Sequence, residues 1–244
     1  MRNILMKISF CGTAYHGFQI QPNAETVQGT VEKTIERITS EKTSVYGCSR
    51  TDAGVHANEF YLNFKTQSSI PCSNLLRAMN TYLPSDIAVK AVEEKDIEFH
   101  ARYDTKEKEY LYLIYNGAVR DPFMEKRALY YSGKIDEDLL NSACSQFIGT
   151  HDFSAFSATG REYHTTVRTI KSCSFTRKGD LLEFKVCGDG FLYNMVRIMV
   201  GTLLEINEGK IPEDYIKIII EKKERSLAGR TVSGDGLYLN RVVY

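Results

Sequence analysis

The chain has 244 residues, of which 43% are hydrophobic and 25% charged, so it can bury one large core or two small ones. Its 31 basic and 31 acidic residues give a formal net charge of zero, so the overall charge does not indicate a polyanionic partner, and binding to one would have to come from local patches. The six cysteines form no Cys-x-x-Cys pair, so we expect neither a zinc site nor a disulfide framework. Residues 1–10 lack a signal-peptide core and no apolar run approaches membrane-spanning length, so we expect a reduced, cytoplasmic protein without a membrane segment.

The first predicted elements are a strand and a helix. Residues 4–10 are mostly apolar and predict a strand, and a polar, glycine-rich loop follows at 11–21. Thr26 carries the hydroxyl typical of a helix N-cap. The apolar residues after it recur at intervals that place them on one helix face: Val27, Val31, Ile35 and Ile38. We expect this helix to cover one face of a sheet.

A run of small and charged residues at 47–57 interrupts the apolar pattern. The residues on either side alternate, which predicts a loop between two strands: Thr43 and Val45 before it, Phe60, Leu62 and Phe64 after it. Gly47 and Gly54 permit a sharp turn. Arg50 and Asp52 are two residues apart, so they can share one side of an extended segment and form a charge-assisted pair. An ionised, oriented carboxylate can act as a nucleophile or general base, although most such pairs only hold a turn together.

The rest of the first half adds a helix and a strand. Residues 73–83 predict an amphipathic helix, residues 84–86 end it, and residues 87–92 predict a strand. The order strand, helix, strand, strand, helix, strand is that of a split βαβ, ferredoxin-like unit.

The second half repeats this layout. Residues 109–115 predict a strand with Tyr110 and Tyr112 on one face, a pattern that by itself favours sheet packing. Asp136 predicts a helix cap, residues 167–176 and 181–186 a hairpin, residues 193–206 a helix, and residue 236 opens a last strand. We therefore predict an α+β protein with two similar ferredoxin-like halves, 1–106 and 107–244. Their strands are expected to join in one central, mostly antiparallel sheet flanked by helices, with an active-site cleft across its middle.

The most one-sided charge near this cleft lies between residues 155 and 178. One acid, Glu162, stands there against five basic residues: Arg161, Arg168, Lys171, Arg177 and Lys178. A surface that follows an RNA backbone needs such a local excess, because counterion release dominates RNA affinity. A solvated hairpin would show the same pattern.

Several stretches of the chain resemble one family. The string Gly-Cys-Ser-Arg-Thr-Asp-Ala-Gly-Val-His at 47–56 resembles the signature of the TruA family of tRNA pseudouridine synthases. Phe-His-Ala-Arg at 99–102, Asp-Phe-x-x-Phe at 152–156 and Phe-x-x-x-Met-Val-Arg at 191–197 resemble it too. The loop at 11–21 is similar to the family's glycine-rich segment, although Phe18 stands where tryptophan is common. Leu111 replaces a residue that is often basic.

The resemblance implies an enzyme that isomerises uridine to pseudouridine in the anticodon stem-loop of tRNA, at positions 38, 39 and 40, without a metal or other cofactor. Asp52 is then the nucleophile, which attacks either the base or the sugar of a flipped uridine. Four residues are implied to contact substrate or nucleophile: Tyr110 stacks on the base, Arg197 pairs with Asp52, Arg50 flips or holds the RNA, and Leu237 forms an apolar wall. The implied partners are tRNA and a second copy of the chain in a homodimer.

Two interpretations from other classes compete with this one. A non-catalytic tRNA-binding module or RNA chaperone would retain the basic patches without the residues around Asp52, whereas this chain has both. An aspartyl-phosphate enzyme would need a second acidic residue nearby to hold magnesium, and residues 47–57 contain none.

Overall fold

The computed structural model describes residues 1–160 and 163–244. The chain divides into two compact units, one formed by Met1–Lys106 with Tyr238–Tyr244 and the other by Glu107–Leu237. Within the two described ranges, no helix combines the length and the apolar character needed to cross a membrane.

Helices and strands both contribute substantially, and the predicted α+β class is confirmed. The strands are β1 (Arg2–Phe10), β2 (Tyr46–Gly47), β3 (His56–Thr66), β4 (Ile87–Lys95), β5 (Glu107–Tyr115), β6 (Leu129–Tyr130), β7 (Gly149–Asp152), β8 (Val167–Lys178), β9 (Leu181–Gly188) and β10 (Leu237–Val243). The α-helices are α1 (Val27–Thr39), α2 (Cys72–Tyr82), α3 (Glu137–Ser145), α4 (Met195–Asn207) and α5 (Ile216–Lys222).

In the first unit, β1 lies between β3 and β4 and is antiparallel to both. Strand β10 runs parallel to β3, with Tyr238 opposite His56. The register sets Ile4 opposite Phe64, and both side chains are fully buried. Helices α1 and α2 bury their apolar sides as predicted, and the order β1, α1, β2, β3, α2, β4 is the predicted ferredoxin-like order.

In the second unit, β9 lies between β5 and β8 and is antiparallel to both, and β7 extends the sheet beyond β8. Short β6 runs parallel to the end of β5. Helix α3 is fastened to β8 because Asn141 bonds both polar groups of the Phe175 backbone, at 2.8 and 3.2 Å. Helix α4 lies in the interior of this unit, and every residue from Ile198 to Leu204 is buried.

Strands β6 and β7 and helix α5 were not predicted, and four further details differ from the sequence-based expectation. The strand before the loop is only Tyr46–Gly47, because Val45 donates its amide to Glu32 Oε1 at 2.9 Å instead of to a strand. Helix α4 begins at Met195 because Asn194 has a left-handed φ of 59°. The hairpin turn shortens to Gly179 and Asp180, since β8 continues to Lys178.

The fourth difference concerns the C-terminus. Residues 238–244 were expected in the second half but belong to the first unit. The reason is the pairing of β10 with β3, reinforced by the Tyr238 ring, which stacks on His56 with centroids 4.6 Å apart.

Candidate active site

Asp52 lies in the middle of the connection between β2 and β3 and is half-buried, whereas Arg50 is exposed. The Asp52 carbonyl accepts the Val55 amide at 3.2 Å and closes a tight turn. Gly54, within that turn, has a φ of 77°, a conformation that glycine adopts without strain. The carboxylate is therefore carried on a short turn with little conformational freedom.

A second segment, Gly12 to Phe18, supports the turn from outside. The Phe18 amide donates to the Thr51 carbonyl at 3.1 Å, and the Gly54 amide donates to the Tyr15 carbonyl at 3.2 Å. A Cβ atom on Gly17 would lie 2.6 Å from the Thr51 oxygen and 3.2 Å from the Asp52 carbonyl carbon. No side chain fits at position 17, so the two backbones are in direct contact beside the candidate nucleophile.

His56 ends the signature string and is 2% exposed. Its Nδ1 accepts the Gly12 amide at 3.0 Å, and its ring stacks on Tyr238. His56 was not among the site residues predicted from the sequence. Its position at the start of β3, directly after the turn, was the available signal.

The beginning of the connection is fixed by aromatic packing. A Cβ atom on Gly47 would lie 2.5 Å from the Phe18 ring and 2.8 Å from the Phe60 ring. Those two rings stack on each other with centroids 4.5 Å apart. Phe18 thus fills the space beside Gly47 with an aromatic ring that packs on Phe60.

Tyr110, on β5 of the second unit, is 7% exposed. It lies opposite Val186 of β9, and its ring meets the edge of Phe191 with centroids 5.0 Å apart. Phe191 and Tyr110 therefore form an aromatic pair that orients the tyrosine ring.

Arg197 and Leu237 are linked through the segment 232–237 in the same unit. Arg197 donates from Nε to the Val232 carbonyl at 2.7 Å and from a terminal nitrogen to Asn194 Oδ1 at 2.8 Å. The next carbonyl, of Ser233, accepts the Tyr112 hydroxyl at 2.9 Å. Burial raises the pKa of Tyr112, which keeps that hydroxyl a donor. Leu237 ends this segment and is 5% exposed.

The predicted basic surface is less positive than its sequence suggests. Lys171 pairs with Glu107, Arg177 with Glu137, and Lys178 with Glu183, so acids from other elements compensate three of the cations. Arg168 donates to the carbonyls of Thr165 and Val167. Arg161 lies outside the described residues.

Residues 1–160 and 163–244 contain no cluster of three or more His, Cys, Asp or Glu side chains that could hold a metal ion. None of the six cysteines is paired in a disulfide.

Comparison with known proteins places these features in a family. A family model described as tRNA pseudouridine synthase matches residues 6–104 and 143–244. A protein named tRNA pseudouridine synthase A from Acetivibrio thermocellus is 48% identical over 244 residues, covering 100% of both chains. One of the same name from Clostridium kluyveri is 46% identical over 245 residues, again covering 100% of both. A chain of a solved Cbf5-Nop10-Gar1 complex aligns with a TM-score of 0.38 at 11% identity, covering 99% of this chain and 58% of that one.

Proposed function

Because this chain belongs to the tRNA pseudouridine synthase family, we propose that it converts uridines 38, 39 and 40 of the tRNA anticodon arm to pseudouridine, with Asp52 as the nucleophile. Pseudouridylation of tRNA is the activity of the family as a whole. The choice of uridines and the role of Asp52 are the specific parts of the proposal. The observation that carries the role of Asp52 is the signature string at 47–56, with Asp52 half-buried on its tightly held turn. The choice of uridines rests on the resemblance to the TruA family.

The reaction is an isomerisation with no net oxidation or reduction. The bond between C1′ of the ribose and N1 of uracil breaks, the base rotates, and C5 bonds to C1′. N1 gains a proton and C5 loses one, so the atoms balance without a co-reactant. The Asp52 carboxylate can assist by attacking C1′ of the sugar or C6 of the base, and both routes require the same oriented carboxylate.

We assign the remaining pocket residues by the family's pattern. A flipped uracil needs a flat partner, and Tyr110 offers a ring already oriented by Phe191. Arg197 is proposed as the partner of the Asp52 carboxylate. Its hydrogen bonds to Val232 and Asn194 restrict the orientation of the guanidinium, as a fixed charged partner requires. Leu237 supplies an apolar wall and Arg50, which is exposed, holds or flips the RNA.

The binding surface for the tRNA backbone is proposed around Arg168. The five predicted cations are not equally available to RNA. Lys171, Arg177 and Lys178 each have an acidic partner that an RNA phosphate would have to displace. Arg168 instead donates to the backbone carbonyls of Thr165 and Val167, which carry no formal charge. We also propose that the enzyme is cytoplasmic and forms a homodimer. Light scattering on the purified protein would test the dimer.

The specificity is tested by mapping pseudouridine with carbodiimide-stop sequencing. The purified enzyme is incubated with tRNA transcripts that carry uridine at position 38, 39 or 40, each compared with a transcript that has cytidine there. The proposal predicts stops at these three positions alone. Stops confined to another arm of the tRNA would overturn the assignment of target, and their absence from every tRNA would favour a non-catalytic RNA-binding role.

A further inference from the structure

The side chain of His56 helps to hold the segment that packs against the candidate catalytic turn. Gly12 is buried, and its amide donates to His56 Nδ1 at 3.0 Å. A buried amide that loses its acceptor is costly, so this bond fixes where Gly12 lies. Gly12 also packs directly against the end of the catalytic turn. A Cβ atom on Gly12 would lie only 2.0 Å from the Val55 carbonyl oxygen.

An imidazole can accept this bond in one state only. When Nδ1 accepts, the ring is neutral and its single proton is on Nε2. The stack on Tyr238, with 24° between the ring planes, holds the ring in the orientation that aims Nδ1 at Gly12. Both the neutral tautomer and the orientation are thus set by the surroundings of His56.

The bonds around Gly12 continue to Asp52. Gly12 accepts the Tyr15 amide at 2.9 Å, and Tyr15 accepts the amide of Gly54, two residues after Asp52. Releasing the Gly12 amide would therefore let the segment 12–18 shift against the turn. A displacement of the nucleophile by a fraction of an ångström is enough to slow a reaction that depends on alignment.

We propose that His56 is a positioning residue: by accepting the Gly12 amide, its Nδ1 locks the segment 12–18 onto the turn that carries Asp52. This inference rests on the proposed role of Asp52. It assigns to His56 no contact with the substrate and no proton transfer.

Three substitutions separate the acceptor from the ring. In His56→Asn, the asparagine Oδ1 is the same number of bonds from Cα as the histidine Nδ1. This variant therefore keeps a hydrogen-bond acceptor and loses the ring. His56→Phe keeps a ring that can stack on Tyr238 and has no acceptor. His56→Ala lacks both and is smaller than histidine, so it preserves the comparison if phenylalanine does not fit. Phe64→Leu, a change in the core of the same strand, controls for simple destabilisation.

The measurements are the single-turnover rate at saturating tRNA and the hydrogen exchange of the Gly12 amide in the free enzyme. We expect His56→Phe and His56→Ala to lose protection at Gly12 and to react up to about 100-fold more slowly, with unchanged tRNA affinity. His56→Asn is expected to retain most of both, and Phe64→Leu to keep the rate despite a lower Tm.

Rate and Gly12 protection must change together across the variants. A variant that loses protection and reacts normally, or keeps protection and reacts slowly, contradicts the proposal, as does a normal rate in His56→Phe with a low rate in His56→Asn. Because exchange is read in the free enzyme, failure here is distinguishable from failure of the proposed function, which Asp52→Asn tests separately.

Discussion

Replacing Gly17 with alanine perturbs the candidate site through backbone geometry alone. Gly17 has a φ of 89°, and its Cβ atom would lie 2.6 Å from the Thr51 carbonyl oxygen. A non-glycine residue in a left-handed conformation costs about 1–2 kcal/mol. Forcing an extra carbon into a filled space costs about 1–3 kcal/mol more. We therefore expect Gly17→Ala to lower the free energy of unfolding by about 2–5 kcal/mol, or about 4–20 °C in Tm for a chain of this size.

Two other glycines separate these contributions. Gly209 has a φ of 70° with no atom within 4 Å of its Cβ position, so Gly209→Ala measures conformational strain without collision. Gly12 has no such φ but the 2.0 Å approach to the Val55 oxygen, so Gly12→Ala measures collision alone. Each variant is followed by thermal unfolding and by pseudouridine formation at 25 °C.

The effect of each variant on turnover should not follow its effect on stability. Gly12→Ala and Gly17→Ala push on the turn that carries Asp52 and should lose most turnover at a temperature where they remain folded. Gly209→Ala should keep full turnover. Normal turnover in folded Gly17→Ala, or a loss of Tm no greater than that of Gly209→Ala, would refute the argument that this backbone contact positions the turn.

Three further predictions concern single side chains. Tyr110→Phe should keep most stability and stacking, whereas Tyr110→Leu should lose activity beyond its loss of stability; normal turnover in the leucine variant would make Tyr110 a packing residue only. Arg168→Ala should weaken binding of all tRNAs and reduce the log-log salt slope by about one unit, while Lys178→Ala, whose cation already has an acidic partner, should change the slope less. Arg230 and then Lys210 lower the pKa of Glu208 from 4.5 to about 2, so this carboxylate stabilises the fold above pH 4.5 and the contribution disappears as pH falls through about 2. Arg230→Met should therefore lower Tm at pH 6 and converge with the unmodified protein near pH 2, and a constant difference would exclude this linkage.

Local signals in the sequence predicted local structure well. The Thr26 hydroxyl accepts the Gly29 amide at 3.3 Å, and Asp136 accepts the Leu139 amide at 3.1 Å, so both predicted caps are confirmed. A cap depends on residues three positions apart, which a single sequence displays directly. The element order of the first unit was predictable for the same reason, since the helical and strand periods change clearly along it.

Contacts between distant residues were not predictable. The partners of Lys171 and Arg177, which are Glu107 and Glu137, are separated from them by 64 and 40 positions, so a window of sequence counts the cations without the acids that compensate them. The place of β10 beside β3 is likewise a pairing between residues far apart in the sequence, with Tyr238 opposite His56. His56 was overlooked because its bond partner, the Gly12 amide, lies 44 positions earlier in the sequence.

The central claim is that the Asp52 carboxylate acts as the nucleophile, and Asp52→Asn tests it most directly. Asparagine has nearly the same shape and cannot supply the negative charge, so the fold and tRNA affinity should remain. The measurement is tritium release from tRNA labelled at C5 of uridine, since formation of pseudouridine expels that hydrogen. We predict no detectable release above background with tRNA bound at its normal affinity. Release at more than a small fraction of the normal rate would remove Asp52 from the mechanism.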